Sequence, residues 1–217
     1  RNIPVIGVSS SLIKDIKKFS NSEFPSFVLP NIVDNKLFYP ADNSQRDKFF
    51  FMLSSWKLPK DPILAIKAFK EFLKKNREYK LIIGGKGPLF NMISDFINES
   101  GIKDSVELKG VLSSKEAADY MRKCHAFLHP SNYETFSVVC AEAITCGAPV
   151  IASDVGALKE LVQSQGILVE NNLDSWLKAL NDIKDYRIEG SRNTDYSIES
   201  VGKNYFSILK EISHAPL

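Results

Sequence analysis

Cysteine is scarce in this sequence, and what there is does not pair. Cys124, Cys140 and Cys146 are odd in number, sit inside apolar stretches and show neither Cys-x-x-Cys nor Cys/His spacing. That excludes a disulfide framework and a zinc site of the usual spacing, and points to a reducing, cytoplasmic setting. Long apolar runs are also missing. None approaches the ~20 residues of a membrane span, and no secretory leader is recognisable. Charge of one sign is absent too: 28 basic residues stand against 26 acidic ones, leaving +2. A nucleic-acid partner needs a clustered basic face, so none is expected.

What is present reads as a folded domain. Apolar residues are 44% and charged residues 25% of the chain, close to the globular average, which excludes disorder. The 217 residues suit one domain, or one domain with part of another. The sequence opens at Arg1 without Met and runs straight into apolar residues, so it reads as a piece of a longer protein.

From about Lys48 short apolar runs alternate with amphipathic stretches. The runs are Phe49–Leu53, Leu81–Ile83, Val106–Leu108, Ala126–Leu128, Val150–Ala152 and Ile167–Val169. Helical patterns follow at Pro62–Lys74, Pro88–Asn98, Lys115–Lys123, Val138–Thr145, Ala157–Val162 and Leu173–Ile183. Strand-then-helix repeated six times, with strands apolar throughout, predicts an α/β fold: a Rossmann-like parallel sheet flanked by helices. Pro88 suits a first helical position, Ser113 and Ser114 suit N-caps, and Gly147 suits a helix end. In such sheets ligands bind outside the carboxyl ends of the strands, so the loops after Leu53, Ile83, Leu108, Leu128 and Ala152 form the candidate site.

The first forty residues form a separate β-α-β piece, with strands at Val5–Ser9 and Phe27–Leu29 and a helix near Leu12–Phe19. A polar stretch from Ala41 to Lys48 marks a boundary, and Ser197–Ile212 reads as a last amphipathic helix. The expected divisions are residues 1–40, 41–196 and 197–217.

The chemistry concentrates in one segment, His129-Pro-Ser-Asn-Tyr-Glu-Thr-Phe-Ser-Val-Val-Cys-Ala-Glu-Ala143. Glu134 lies in a loop after a strand, and Glu142 lies in the helix that follows, among apolar neighbours. An ionised carboxylate in that setting is costly unless something hydrogen-bonds it, and a ribose diol offers two suitable donors. With a helix start near Phe136, Glu142 lies about 9 Å along the axis at ~1.5 Å per residue, roughly the reach of a diphosphate between two sugars. One acid could hold a ribose and Glu134 a sugar, with the N–H groups of Phe136, Ser137 and Val138 facing phosphates at the positive helix end. The structural alternative makes Glu134 a first-turn acid favoured by the helix dipole and pairs Glu142 with a lysine.

These glutamates, with seven residues between them, Pro-Ser before and Ala-Glu-Ala-x-x-Cys-Gly-x-Pro-Val-Ile-Ala-Ser-Asp-x-Gly after, resemble the central motif of the family 4 (group 1) GT-B glycosyltransferases. The likeness continues through Val8-Ser9, Pro30-Asn31-x-Val33-Asp34, Lys60, Leu81-Ile-Ile-Gly-Gly-Lys-Gly-Pro88, Gly110, Gly156 with Glu160, and Gly166-x-Leu168-Val169. The resemblance implies one half of a GT-B fold: the C-terminal, donor-binding domain of a retaining enzyme that moves a sugar from a nucleoside diphosphate to an acceptor. By the same likeness Glu142 binds ribose, and Glu134 and Lys60 act at the transferred sugar and the departing diphosphate. Thr135, Phe136, Ser137, Val138, Lys57 and Gly85 line the sugar and diphosphate, and Val111 and Leu112 flank the base. No metal and no cofactor are implied beyond the nucleotide-sugar donor, because no Asp-x-Asp stands in a site loop and Lys60 carries the charge.

The structural reading of Lys60 is a solvated lysine in a lysine-rich loop. His129 reads as a packing or loop residue rather than a general base; the family's catalytic histidine belongs to an N-terminal domain outside this sequence. Where the family places an arginine before the lysine, Ser54 and Ser55 stand here, so half of the phosphate clamp is missing and Lys57 is the substitute. The absent acceptor domain leaves apolar surface on the opening segment and the closing helix. These surfaces can pack on each other or on a second copy, and the longer protein can associate peripherally with a membrane. A non-catalytic nucleotide-sugar-binding module and a nucleotide-sugar epimerase of the same fold are the alternatives.

Overall fold

A computed structural model describes residues 3–41, 46–186 and 196–214. Arg1 and residues 42–45 of the polar stretch beginning at Ala41 lie outside the described residues.

The opening piece is β1 (Val5–Gly7), α1 (Ser10–Ser20) and β2 (Ser26–Val28), with β1 and β2 paired in parallel as a two-stranded sheet. The strand stops at Gly7 instead of Ser9 because Ser9 is the N-cap of α1, its hydroxyl accepting from the Leu12 N–H.

The rest builds β3 (Phe49–Leu53), α2 (Pro62–Leu73), β4 (Lys80–Gly84), α3 (Phe90–Glu99), β5 (Val106–Gly110), α4 (Ser114–Lys123), β6 (Ala126–His129), α5 (Val138–Thr145), β7 (Val150–Ser153), α6 (Leu158–Val162), β8 (Gly166–Val169), α7 (Leu173–Asp182) and α8 (Ile198–His214). All six strands from β3 to β8 are parallel, in the order β5-β4-β3-β6-β7-β8. The expected α/β fold is therefore what the chain adopts. This order grows outward in both directions from β3 and β6, so the helices that follow those two strands cover opposite faces. The strand ends form a topological switch point, where ligands of such sheets bind.

The strands are apolar throughout because both faces are covered. Side chains alternate along β3, sending Phe50 and Met52 into a core with α2, α3 and α7, and Phe51 into a second core with α4, α5 and α6. Truncating a side chain as buried as Phe50 costs ~3–5 kcal/mol. Several helix starts are set by local chemistry: Asp61 caps α2 ahead of Pro62, Asn172 caps α7, and Ser113 with Glu116 makes a capping box on α4, so Ser114 is the first helical residue.

Two boundaries differ from expectation. Pro88 precedes α3 instead of opening it, because the Leu89 N–H is drawn to the Trp56 carbonyl, 2.9 Å away, and the helix starts only at Phe90. α5 starts at Val138 and not near Phe136, because Ser137 adopts a left-handed conformation (φ 79°) and Phe136 turns its ring into the core against Tyr196. Glu142 is then about 6 Å from the first helical residue instead of 9 Å.

Candidate active site at the β3–β6 crevice

Lys60 and Glu134 meet in the crevice. The loop after β3 pairs with the loop after β6 through a short antiparallel bridge between Lys60 and Ser131, and the Asn132 N–H donates to the Pro59 carbonyl at 2.9 Å. That bridge brings the Lys60 ammonium onto Oε1 of Glu134, with the two side chains only 14% and 12% exposed. His129, at the end of β6 and 2% exposed, reaches the same oxygen through Nε2 at 2.6 Å. Its Nε2 also lies 3.2 Å from Lys60 Nζ and 3.2 Å from Ser137 Oγ. Four polar side chains thus converge where sequence reasoning placed three. His129, read there as a packing residue, is the one it undervalued; its position immediately before Pro130-Ser131 at a strand end was the available signal.

The electrostatics follow from burial. Burial brings the Lys60 amine down to about 8, the neighbouring Lys57 adding to the effect, while the Cys140 thiol opposes it. Burial, and then the Lys60 charge, push His129 well below its ordinary value. Lys60 is therefore not the solvated lysine of the alternative reading. Nor is Glu134 a first-turn acid, since it lies ahead of the helix and is ion-paired.

Glu142 is half-buried on α5, and among the described residues it has no hydrogen-bond or ion-pair partner. Burial alone raises its carboxyl to about 7. The lysine pairing considered for it is not formed. Lys60 and Glu142 both act on the buried Cys140 thiol, itself raised to about 12 chiefly by burial, which places both charges around one side chain of α5. The N-terminus of α5 is open: Ser137 gives it no side-chain cap, unlike the caps on α1, α2, α4 and α7. Its first N–H groups, at Val138, Val139 and Cys140, face the crevice end of the sheet as free donors among the described residues.

The other expected residues divide. Lys57 is exposed beside Lys60, its carbonyl accepting the Lys60 N–H at 2.9 Å. Thr135 is exposed, but its carbonyl is taken by Ser9 Oγ at 2.7 Å. Phe136 has its side chain in the core, so only its backbone can face a ligand. Val138 is exposed at the mouth of α5. Val111 is exposed after β5, and Leu112 folds over Gly84; both stand three strands across from β6. Gly85 has φ 98°, and a Cβ there would run into the Ser54 carbonyl, so its glycine is needed first for packing of the β3 and β4 loops.

Two residues quoted only as motif matches have structural tasks, one at the Glu134 loop and one at the opening helix. Gly156 leaves room for the Glu134 backbone, and the Ala157 N–H donates to the Glu134 carbonyl at 3.1 Å. Glu160 on α6 accepts from the Ser10 and Ser11 N–H groups at 3.0 and 2.6 Å, capping α1 across the chain. Among the described residues no group of three or more His, Cys, Asp or Glu side chains is placed to hold a metal ion, and no helix is long and apolar enough to cross a membrane.

Comparison with known proteins places this architecture. Residues 35–197 match the family described as glycosyl transferases group 1. The chain belongs to that family. An uncharacterised glycosyltransferase of Methanocaldococcus jannaschii is 30% identical over 190 residues, 87% of this chain and 50% of that protein. The MMP alpha-(1->4)-mannosyltransferase of Mycolicibacterium hassiacum is 32% identical over 168 residues, 76% of this chain and 41% of that protein. Among solved structures, the pneumococcal O-GlcNAc transferase GtfA in complex with UDP and GlcNAc superposes with a TM-score of 0.77 at 17% identity, covering 97% of this chain and 45% of that one. This group 1 chain therefore spans about half the length, or less, of these relatives, and its sheet is a GT-B half.

Proposed function

We propose that this chain is the donor-binding half of a retaining group 1 glycosyltransferase, which in the longer protein moves a sugar from a nucleoside diphosphate to an acceptor. The observation that carries the reading is Glu142, a half-buried carboxylate with no partner among the described residues, in the helix whose open N-terminus adjoins Lys60 and Glu134. A ribose diol satisfies Glu142, the free N–H groups of α5 take phosphate oxygens, Lys60 neutralises the departing diphosphate, and Glu134 holds the sugar. Ser137 and Lys57 add contacts to the diphosphate, Thr135 and Phe136 contribute backbone, Gly85 lets the β4 loop close in, and Val111 with Leu112 flank the base. The relative bound to UDP and GlcNAc supports this choice of ligand class.

The reading needs no cofactor or metal. It divides the chain into residues 1–40, belonging with the acceptor half, a donor domain over 41–196, and a closing segment from 197 that returns to the acceptor half. Apolar surface on both flanking pieces supports that division: Ile3, Ile6 and Ile32 on one, and Ile198, Tyr205, Phe206 and Leu209 on the other, are exposed. The two pieces touch through the Asn204 amide and the Val28 carbonyl at 3.3 Å and border a shared cavity of about 500 Å³. The acceptor half is the partner that covers them, a second copy covers them in the isolated chain, and the whole protein works in the cytoplasm, at a membrane surface where its acceptor requires it.

Serines at 54 and 55 favour a second reading, a binding module that has lost transfer. The experiment for both is calorimetric titration with uridine and guanosine diphosphates and their glucose, mannose and N-acetylglucosamine conjugates. Binding abolished by Glu142→Ala is the expected result; no binding to any of them rejects the donor site.

A further inference from the structure

His129 closes β6 with its ring held in one orientation. It stacks on Phe127, two residues earlier on the same side of the strand, with centroids 6.2 Å apart and planes at 20°. The strand fixes the backbone and Phe127 fixes the ring, so Nε2 meets Glu134 Oε1 at 2.6 Å. An ionised carboxylate only accepts, so a ring nitrogen at that distance carries the proton and donates it. The ring is too buried, and too closely surrounded by Glu134, Ser137 and Lys60, to reach an acceptor hydroxyl as a base.

We propose that His129 is the positioning residue for the transferred sugar: its Nε2–H pins Oε1 of Glu134 and leaves Oε2 facing the sugar. The inference rests on the donor-site reading of Glu134 given above. In the ligand-free chain two groups hold Oε1, the Lys60 ammonium and the imidazole. Oε2 has no hydrogen-bond partner among the described residues. A diphosphate competes for Lys60 and offers Glu134 nothing in return. Once the lysine turns to the phosphates, the imidazole is the hold that remains, and without it the carboxylate regains rotamer freedom that sugar binding has to remove again. The consequence is selective. His129 matters to the sugar and hardly at all to the nucleotide.

Two variants separate this from a packing role. His129→Phe keeps a ring over Phe127 and removes the donor, and His129→Gln returns an N–H near the place of Nε2. With the same panel of nucleotides and conjugates, His129→Phe is expected to bind the nucleoside diphosphate within about twofold of wild type and its sugar conjugate about tenfold more weakly, with His129→Gln recovering most of the difference. Equal losses on both ligands, or no loss on either, overturn the proposal. A wild-type chain that binds no nucleotide removes the donor-site reading instead. Even then the imidazole ¹⁵N shifts of the ligand-free protein decide the geometry: a proton on Nε2 is expected, and a proton on Nδ1 alone overturns it.

Discussion

The carbonyl of Glu134 occupies the space that a side chain on Gly156 would need. Gly156 also sits at φ 47°, where an L side chain adds strain, and the next residue donates its N–H to that same carbonyl. Gly156→Ala is expected to destabilise the chain by about 1–3 kcal/mol and to shift the Glu134 loop. Thermal melting reads the first effect. Loss of sugar-dependent binding, beyond any loss for the bare nucleotide, reads the second.

Glu142 makes ligand-free stability depend on pH. Its carboxyl titrates near 7 in the fold, raised by burial from 4.5. The folded state therefore binds the proton more tightly than the unfolded state does. Stability from this group is full below pH 4.5 and is lost as pH rises through 7. The full shift corresponds to at most about 3 kcal/mol, discounted for the solvent that reaches this half-buried group. Glu142→Gln removes the charge, so it is expected to stabilise the empty chain at pH 8 by about 1–2 kcal/mol and to change little at pH 4.5. Chemical denaturation at the two pH values checks the difference.

Lys60 makes ligand binding sensitive to alkali as well. Its amine is lowered to about 8, so the cation is lost as pH rises through that value, well below the 10.5 of a solvated lysine. Affinity for a nucleoside diphosphate is expected to fall by up to about tenfold per pH unit above 8. Lys60→Arg, charged throughout, flattens the profile. A wild-type profile that stays level to pH 10 counts against Lys60 as the phosphate cation.

The opening helix depends on a distant acid. Glu160→Ala leaves the Ser10 and Ser11 N–H groups without their carboxylate, at an expected cost of about 1–2 kcal/mol. Hydrogen exchange speeds up in the first turn of α1 while the amides of β3 and β6 keep their protection. Uniform acceleration would assign Glu160 to the core instead.

Much of the fold was legible because it is local. The all-apolar run Phe49–Leu53 and the helix Val138–Thr145 were read with the bounds they have, since apolar patterning and Gly147 define them without help from elsewhere. What is not legible is the turn ahead of α5: a reach of about 9 Å measured from Phe136 overlooks that its ring packs on Tyr196, sixty residues on, and nothing nearby in sequence announces that contact. His129 was undervalued for a related reason. A lone histidine ending an apolar strand looks like packing until the loop from Pro130 to Ser137 folds Glu134 back over it. Gly85 and Gly156 stood out as glycines, but the carbonyls they make room for lie in other loops, at Ser54 and Glu134.

The unpartnered acid on α5 has one more consequence. With a carboxyl titrating near 7, an empty chain in neutral buffer carries Glu142 as a roughly equal mixture of acid and anion. Hydroxyl groups donating to it favour the anion, so occupancy expels about half a proton per site into the medium. The heat of association then differs between phosphate and Tris in proportion to their ionisation enthalpies, an acid–base signature of the ribose pocket that requires no sugar transfer.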